Sequence, residues 1–279
     1  MFMFDKKRTI SKEHMEFLMK VRQRKILILS ARILILLAFF LLWEVMAELK
    51  LIDSFITSRP SRIARTIGNL YSEGTLFYHT GVTCFETVVG FLLGTIVGTV
   101  AAIILWWSNL LAKVLEPYLV VLSSLPKIAL GPIFIVWIGA GTASIIMIAL
   151  TVSVVVTILE VLNGFLAVDQ DKIKLVKTFG ANRLQVFTKV VMPSTIPVII
   201  NSLKVNIGLS WVGVIVGEFL VSKAGLGYLI VYGGQVFQLD LVMTTVLILS
   251  AAAALMYQGV VYLEKLLMKN GRYTSDKIE

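Results

Sequence analysis

Residues able to do chemistry are sparse in this sequence, and the most distinctive are charged side chains inside long apolar stretches. Lys127 follows Pro126 in one such stretch, and Glu218 follows Gly217 in another. A charge in hydrocarbon is costly, so it usually faces a cavity, a transport path or a partner. Lys127 and Glu218 are therefore candidates either for a solute path or for structural ion pairs.

The remaining charged residues of the apolar stretches fit structural roles. Glu86 lies near the start of one stretch and Glu160 near the end of another, and we interpret both as structural. Three more residues can reach the membrane surface with long side chains, and these are Arg32, Glu44 and Lys204.

The sequence contains none of the residue sets expected of an enzyme. It lacks a G-x-x-x-x-G-K-[ST] loop, so it is not expected to bind and hydrolyse ATP by itself. His14, His79 and Cys84 are isolated, which leaves no set for a metal site or an internal disulfide. No G-x-S-x-G motif occurs either. We expect no catalytic residue, no cofactor and no metal in this chain.

Composition places the chain in a membrane. It is 57% hydrophobic and 15% charged, with a mean hydropathy of +0.87, which is too apolar for a soluble domain of 279 residues. We predict an all-α integral membrane protein of about six spans, because backbone in hydrocarbon must pair its amides internally. The spans are expected at 26–46, 82–106, 115–138, 143–164, 195–221 and 241–263.

Glycine and proline suggest how these spans pack. Glycines at four-residue spacing let a neighbouring helix approach closely, and we interpret them as packing surfaces rather than as a moving gate. The second span has Gly90, Gly94 and Gly98, and the fifth has a looser set of Gly208, Gly213 and Gly217.

The third span is expected to be a broken helix. Pro126 and Pro132 each remove a backbone donor, and Gly131 weakens the helix between them. Broken helices at membrane depth usually face protein or a water-filled cavity. The third span is therefore expected to line a path.

The basic residues predict the orientation. With both termini in the cytoplasm, 18 of the 26 basic residues lie on the cytoplasmic side, as the positive-inside rule requires. Arg59, Arg62 and Arg65 run against this bias in the proposed external loop. The net charge of +9 then reflects topology and attraction to anionic lipid, and nucleic acid is not an expected partner.

The same reasoning divides the chain into four parts. The expected parts are a basic cytoplasmic segment (1–25), a first span with an external loop (26–81), a permease-type membrane domain (82–265) and a cytoplasmic tail (266–279).

A charged loop, from Asp169 to Pro197, separates the fourth and fifth spans. Its apolar residues recur at three- and four-residue spacing, which predicts two short amphipathic helices. Gly180 lies at their joint, and Asn182 is expected to cap the second helix. Such a pair of helices either docks in a groove of a soluble protein or lies on anionic lipid.

The motifs of the charged loop and its surroundings resemble a known family. Gly180, nine further residues and then Val190-x-Met192-Pro193 are similar to the loop signature of permease subunits in binding-protein-dependent ABC importers. The similarity extends in order over roughly residues 60 to 265, and it is closest to the branch of nitrate, taurine and alkanesulfonate importers, which also has members for vitamin precursors. The matching segments include Leu125–Pro132, Val136–Gly139, Pro193–Pro197, Ser210-Trp211, Gly217-Glu218 and Gly225–Ile230.

The resemblance implies a role for the chain and for particular residues. It implies that the charged loop is a cytoplasmic coupling helix on an ATPase, with Phe179, Gly180, Ala181, Asn182 and Pro193 at the contact. It adds Trp211 to Pro126, Lys127 and Glu218 as candidates for the solute path.

The resemblance also implies partners and a location. Two copies of the chain, two ATPase subunits and an extracytoplasmic solute-binding protein would form an importer of a small solute in the plasma membrane, in contact with lipid. An ion-coupled secondary transporter is the main alternative, because it also uses broken helices and buried charges. A scaffold and an intramembrane enzyme are further alternatives.

Two departures from the family pattern stand out. Lys174-Leu175-Val176 replaces a Glu-Ala-Ala segment, so the contact made by that glutamate in relatives is absent. Glu86 stands where an arginine is expected in many relatives, which reverses the charge at this point of the second span.

Overall fold

The computed structural model describes residues 12–270, without the side chains of residues 12–15, 18 and 267–270. Much of the basic segment expected at 1–25 and of the tail expected at 266–279 therefore lies outside the described residues, as does the side chain of His14.

Helices account for nearly all of the described chain. Six of them are short or of intermediate length, namely α2 (Ser54–Thr57), α3 (Pro60–Ser72), α6 (Gly131–Ile138), α8 (Gln170–Thr178), α9 (Arg183–Val186) and α11 (Leu226–Gln235). The longer helices are α1 (Lys12–Glu48), α4 (Thr75–Trp107), α5 (Asn109–Ser124), α7 (Thr142–Leu166), α10 (Met192–Val221) and α12 (Leu239–Asn270). No strand occurs within residues 12–270.

The expected spans are present. Within residues 12–270, five helical segments are long and apolar enough to cross a membrane, and these are Met19–Glu48, Thr75–Trp107, Thr142–Leu166, Arg183–Val221 and Leu239–Leu266. A sixth arises if α5 and the segment Lys127–Ile138 count as one span bent by 89°. The prediction of an all-α membrane protein with about six spans is confirmed.

The chain divides into two units, and the first ends at Ala64. Its predicted external loop contains helices that the sequence did not reveal. Asp53 caps α2 by accepting the Phe55 N–H at 2.8 Å. The Glu44 carboxylate accepts the N–H and the hydroxyl of Ser61 at 2.9 and 2.7 Å, at the start of α3. Glu44 thus caps a helix in addition to lying at the end of a span.

In the second unit, which begins at Arg65, α7 lies between α4 and α10. The three glycines expected to form a packing face on α4 meet small residues of α7 that also recur every four positions. A Cβ built on Gly90 would lie 2.7 Å from the Ala149 Cβ, and one on Gly98 would lie 2.5 Å from the Thr157 Cβ. Gly94 faces Ser153 in the same way. Only residues without a side chain allow the two backbones to approach so closely.

The α7–α10 contact uses the second glycine set in part. A Cβ on Gly213 would lie 2.5 Å from the Ala149 Cα, and one on Gly217 would lie 3.0 Å from an Ile145 methyl carbon. Gly208 has open space at the corresponding position. Ala149 therefore lies between a glycine of α4 and a glycine of α10, which makes α7 the central helix of this unit.

The third span is broken where its prolines predict. α5 ends at Ser124, a 3₁₀ turn covers Lys127–Leu130, and α6 begins at Gly131. The Lys127 ammonium donates to the Ser123 carbonyl oxygen at 3.0 Å, one of the acceptors that the missing helical turn leaves free.

Candidate functional site

The charged loop forms two short helices with a left-handed residue between them, as the periodicity predicts. Gly180 has φ = +81°, a conformation that glycine adopts without strain. Its N–H donates to the Lys177 carbonyl at 2.9 Å, and the Ala181 N–H donates to the Val176 carbonyl at 3.2 Å. These two bonds close the C-terminus of α8 in a Schellman motif.

The second helix of the loop begins at a capping box. The Asn182 side chain accepts the Gln185 N–H at 2.9 Å, and the Gln185 side chain accepts the Asn182 N–H at 2.8 Å. After α9 the chain makes one π-helical turn, Phe187–Val191, and continues into α10. Pro193 is the second residue of α10 and follows directly after the π-helical turn.

One side of the charged loop is anchored to the helices behind it. The Phe187 ring packs against Trp106 and Phe165, with centroids 4.8 and 5.5 Å away. The Arg183 guanidinium lies 5.5 Å from the ring centroids of Trp106 and of Trp107, and donates to the Trp106 carbonyl oxygen at 3.3 Å. Such cation–π contacts fix the position of α9 relative to the end of α4.

The other side of the charged loop presents apolar side chains to the surroundings. Phe179 is 82% exposed, and Leu175 and Leu184 are also exposed. A groove runs beside them, lined by Val176, Phe179, Gly180, Ala181, Gln185 and Lys189. Exposed apolar residues around a groove are typical of a surface that binds another protein.

A second polar site lies at the other end of α10. Three consecutive N–H groups before and within α11 donate to three side chains from other elements. The Gly225 N–H donates to His79 Nδ1 at 3.0 Å, and the Leu226 N–H donates to the Thr83 hydroxyl at 2.7 Å. The Gly227 N–H donates to Glu218 Oε2, and the Thr83 hydroxyl donates to Glu218 Oε1 at 2.7 Å. We call this set the capping junction.

The capping junction gives Glu218 a structural task. Its carboxylate satisfies an N–H at the start of α11, where the helix dipole favours negative charge. Gly225 and Gly227 leave the space that the carboxylate occupies, because a Cβ at either position would meet Glu218. Glu218 is 1% exposed, so it is enclosed by its own chain.

The four path candidates have different surroundings. Pro126 and Lys127 lie at the break of the third span, and the Lys127 side chain is partly buried. Trp211 is 6% exposed and packs with Phe91 and Ile207 in a core between α4, α10 and α12. Trp211 and Glu218 therefore both contact the interior of their own chain.

Replacing Thr83 with valine is expected to lower the free energy of unfolding by about 2–4 kcal/mol. The change removes the acceptor of the Leu226 N–H and the hydroxyl that donates to Glu218, and each lost buried hydrogen bond costs about 1–2 kcal/mol. Thermal unfolding of the purified protein measures the effect. Thr80→Val is the matched control on the same helix, because the Thr80 hydroxyl is buried and has no hydrogen-bond partner in the described part of the chain. Equal melting temperatures for the two variants would contradict the structural role of Thr83.

Comparison with known proteins adds a family relationship to this geometry. The family of the binding-protein-dependent transport system inner membrane component matches residues 90–269. A probable ABC transporter permease protein of Haemophilus influenzae is 28% identical, over 88% of this chain and 97% of that protein. A putative aliphatic sulfonates transport permease protein of Bacillus subtilis is 27% identical, over 82% of this chain and 83% of that protein.

The fold also matches a solved structure. A chain of the MetNI methionine ABC transporter in an inward-facing conformation aligns with a TM-score of 0.54 at 18% identity, over 68% of this chain and 97% of that chain. At this identity the likeness concerns the fold alone.

Proposed function

Since this chain belongs to the family of binding-protein-dependent transport system inner membrane components, we propose that its charged loop transmits the movement of an ATPase to the solute path. The chain is a multi-pass membrane protein and the permease subunit of an ABC importer for a small solute. Its partners in such an importer are an ATPase and a solute-binding protein. The relatives are ABC permeases, so secondary transport is not favoured.

The observation that carries this proposal is the two-sided construction of the charged loop. Its exposed side offers Phe179 and the groove at Gly180 and Ala181 to the ATPase, with Asn182 fixing the start of α9. Its anchored side ties Arg183 and Phe187 to the ends of α4 and α7. A movement of the ATPase against the exposed side is therefore transmitted to α4 and α7 through these contacts. It is transmitted to α10 through the chain at Pro193.

The solute path forms where the third spans of two copies of the chain meet. Pro126 and Lys127 line it, because the bend exposes backbone and an ammonium group at this level of the span. Glu218 and Trp211 support the path from behind by holding α10 in place. Two ATPase subunits serve the two charged loops, and both termini lie in the cytoplasm with them. The cytoplasmic basic residues contact anionic lipid.

The solute is an anion of the sulfonate class in this proposal. The Bacillus subtilis relative is named for aliphatic sulfonates. Two Lys127 ammonium groups, one from each copy, would place positive charge where such an anion passes. Nitrate and pyrimidine-type vitamin precursors are the other solutes that the sequence motifs suggest, and calorimetry with the associated binding protein distinguishes the three.

Transport by proteoliposomes that hold the permease, the ATPase and the binding protein tests the proposal. Uptake of labelled alkanesulfonate is expected to require ATP, and Lys127→Gln is expected to lower it by roughly tenfold through loss of a charge interaction of about 1–2 kcal/mol in the path. Lys113→Gln, an exposed lysine on the adjoining α5, is expected to transport like the wild type. Uptake that continues without the ATPase would overturn the proposal in favour of secondary transport.

A further inference from the structure

Two buried carboxyl groups face each other where α4 meets α10. Glu86 of α4 and Glu218 of α10 are each 1% exposed. Glu86 lies one turn from Thr83 on the same buried face of α4, and the Thr83 hydroxyl donates to Glu218 Oε1 at 2.7 Å. This brings the Glu86 carboxyl next to the Glu218 carboxyl, near Thr142 at the start of α7. Two acidic groups in contact inside an apolar bundle need an explanation, because two buried negative charges repel strongly at low dielectric.

The hydrogen bonds favour Glu218 as the partner that carries the negative charge. Both oxygens of Glu218 accept, one from the Thr83 hydroxyl and one from the Gly227 N–H at the start of α11. Donors of this kind and a helix N-terminus both stabilise a carboxylate. Glu218 is therefore the better stabilised of the two as a carboxylate.

Glu86 lacks what a buried carboxylate requires. Among the described residues, neither of its oxygens forms a hydrogen bond of normal distance and angle. The Thr142 side chain at the start of α7 is close, but it makes no hydrogen bond of normal geometry with either Glu86 oxygen. An ionised carboxyl left buried without a donor is among the most costly arrangements in a protein interior.

One proton resolves both problems. A carboxylate can only accept hydrogen bonds, so two carboxylates in contact have no donor between them. A protonated carboxyl gains an O–H, which can donate to the neighbouring carboxylate and form a short, charge-assisted bond. We propose that Glu86 and Glu218 form a proton-binding site, in which a single proton is carried by the Glu86 carboxyl and donated to the Glu218 carboxylate.

The surroundings favour a proton over a metal ion. The described residues include no group of three or more His, Cys, Asp or Glu placed to hold a metal. Other titratable or charged groups are carried by α4, α7, α10, α11 and α12, which pack in this unit. Among the described residues they are Tyr78, His79 and Cys84 of α4, Glu160 of α7, Lys204 of α10, Tyr228 and Tyr232 of α11, and Asp240, Tyr257, Tyr262, Glu264 and Lys265 of α12, with Lys223 in the loop before α11. His79 is neutral at Nδ1, since that atom accepts the Gly225 N–H.

The proton links the capping junction to pH. At neutral pH the folded protein holds a proton that the exposed glutamates of the unfolded chain have released. By linkage, the stability of the folded state then falls as the pH rises, and it stops falling once the folded protein also loses the proton. When the proton leaves, Glu86 and Glu218 repel, and the contact between α4, α10 and α11 weakens.

Thermal unfolding of the full-length protein with its ATPase in nanodiscs, from about pH 6 to about pH 9, tests the site. The measurements use a Cys84→Ser background, so that no thiol titrates near Glu218. The melting temperature with Glu86 present is expected to fall with rising pH. Glu86→Gln is expected to remove most of this fall, because an amide donates to Glu218 without titrating. A fall of unchanged size in Glu86→Gln would overturn the proposal.

Two further variants and a salt series complete the experiment. Glu86→Met has a similar volume and no ionisable group, so it gives the same test if the glutamine variant does not fold. His79→Asn keeps an acceptor for the Gly225 N–H and is expected to retain the fall. A fall that disappears in His79→Asn assigns the titration to His79 and overturns the proposal. A rise in the alkaline melting temperature caused by sodium or magnesium ions, and lost in Glu86→Gln, overturns it in favour of a cation site.

Discussion

Valine in place of Gly180 is expected to abolish most ATP-driven uptake. Gly180 has φ = +81°, and a β-branched residue in this left-handed conformation is strained by about 1–3 kcal/mol. Nothing lies within 4 Å of a Cβ built at this position, so the effect comes from the backbone and not from a collision. The joint between α8 and α9 would open, and the exposed apolar side of the charged loop would lose its shape.

Two measurements on the same preparation assess this result. Co-purification of the ATPase with the permease reports docking, and labelled-solute uptake reports coupling; we expect uptake to fall by roughly tenfold or more. Gly180→Asn is the matched control, because asparagine tolerates the left-handed conformation better than other residues with a side chain. Wild-type co-purification together with full uptake in Gly180→Val would show that the joint is not needed.

Alanine in place of Gly213 is expected to lower the free energy of unfolding by about 3 kcal/mol, at the upper end of the range for overpacked interiors. The new Cβ would lie 2.5 Å from the Ala149 Cα. Backbone atoms cannot move aside as the end of a flexible side chain can, so α7 and α10 would have to separate. The yield of folded permease and its melting temperature would both drop.

Gly208→Ala provides the control on the same helix. Nothing lies within 4 Å of a Cβ at Gly208, and alanine favours a helix more than glycine does. We expect the melting temperature of Gly208→Ala to equal or slightly exceed that of the wild type. Equal destabilisation by the two substitutions would argue against close packing at Ala149.

Local patterns in the sequence were enough to predict the helical spans and the two helices of the charged loop. The break at Pro126, the joint at Gly180 and the cap at Asn182 each depend on residues within a few positions of one another. Backbone conformation and helix capping are local properties, so their signals survive in a single sequence.

Contacts between distant residues were not predictable. The sequence leaves Glu218 open between a path residue and a structural ion pair, because its donors lie elsewhere in the chain, with Thr83 135 positions away. Helix α3 was not predicted for the same reason. Its segment is short and polar, and the Glu44 carboxylate that accepts the Ser61 N–H at its start lies 17 positions earlier in the chain. The contact between Glu86 and Glu218 has no local signal at all. A charged residue in a span indicates that a partner or a cavity lies near it, but only the fold shows which partner it is.

Ala149 has a mechanical consequence for transport. Its position between Gly90 and Gly213 leaves α7 no clearance to roll about its axis or to slide along either neighbour. We therefore expect the central parts of α4, α7 and α10 to move as one rigid group. The charged loop, which joins α7 to α10, is the segment through which this group is moved. We expect a displacement of the charged loop to tilt these helices together, with the contacts at Ala149 kept in both states of the path.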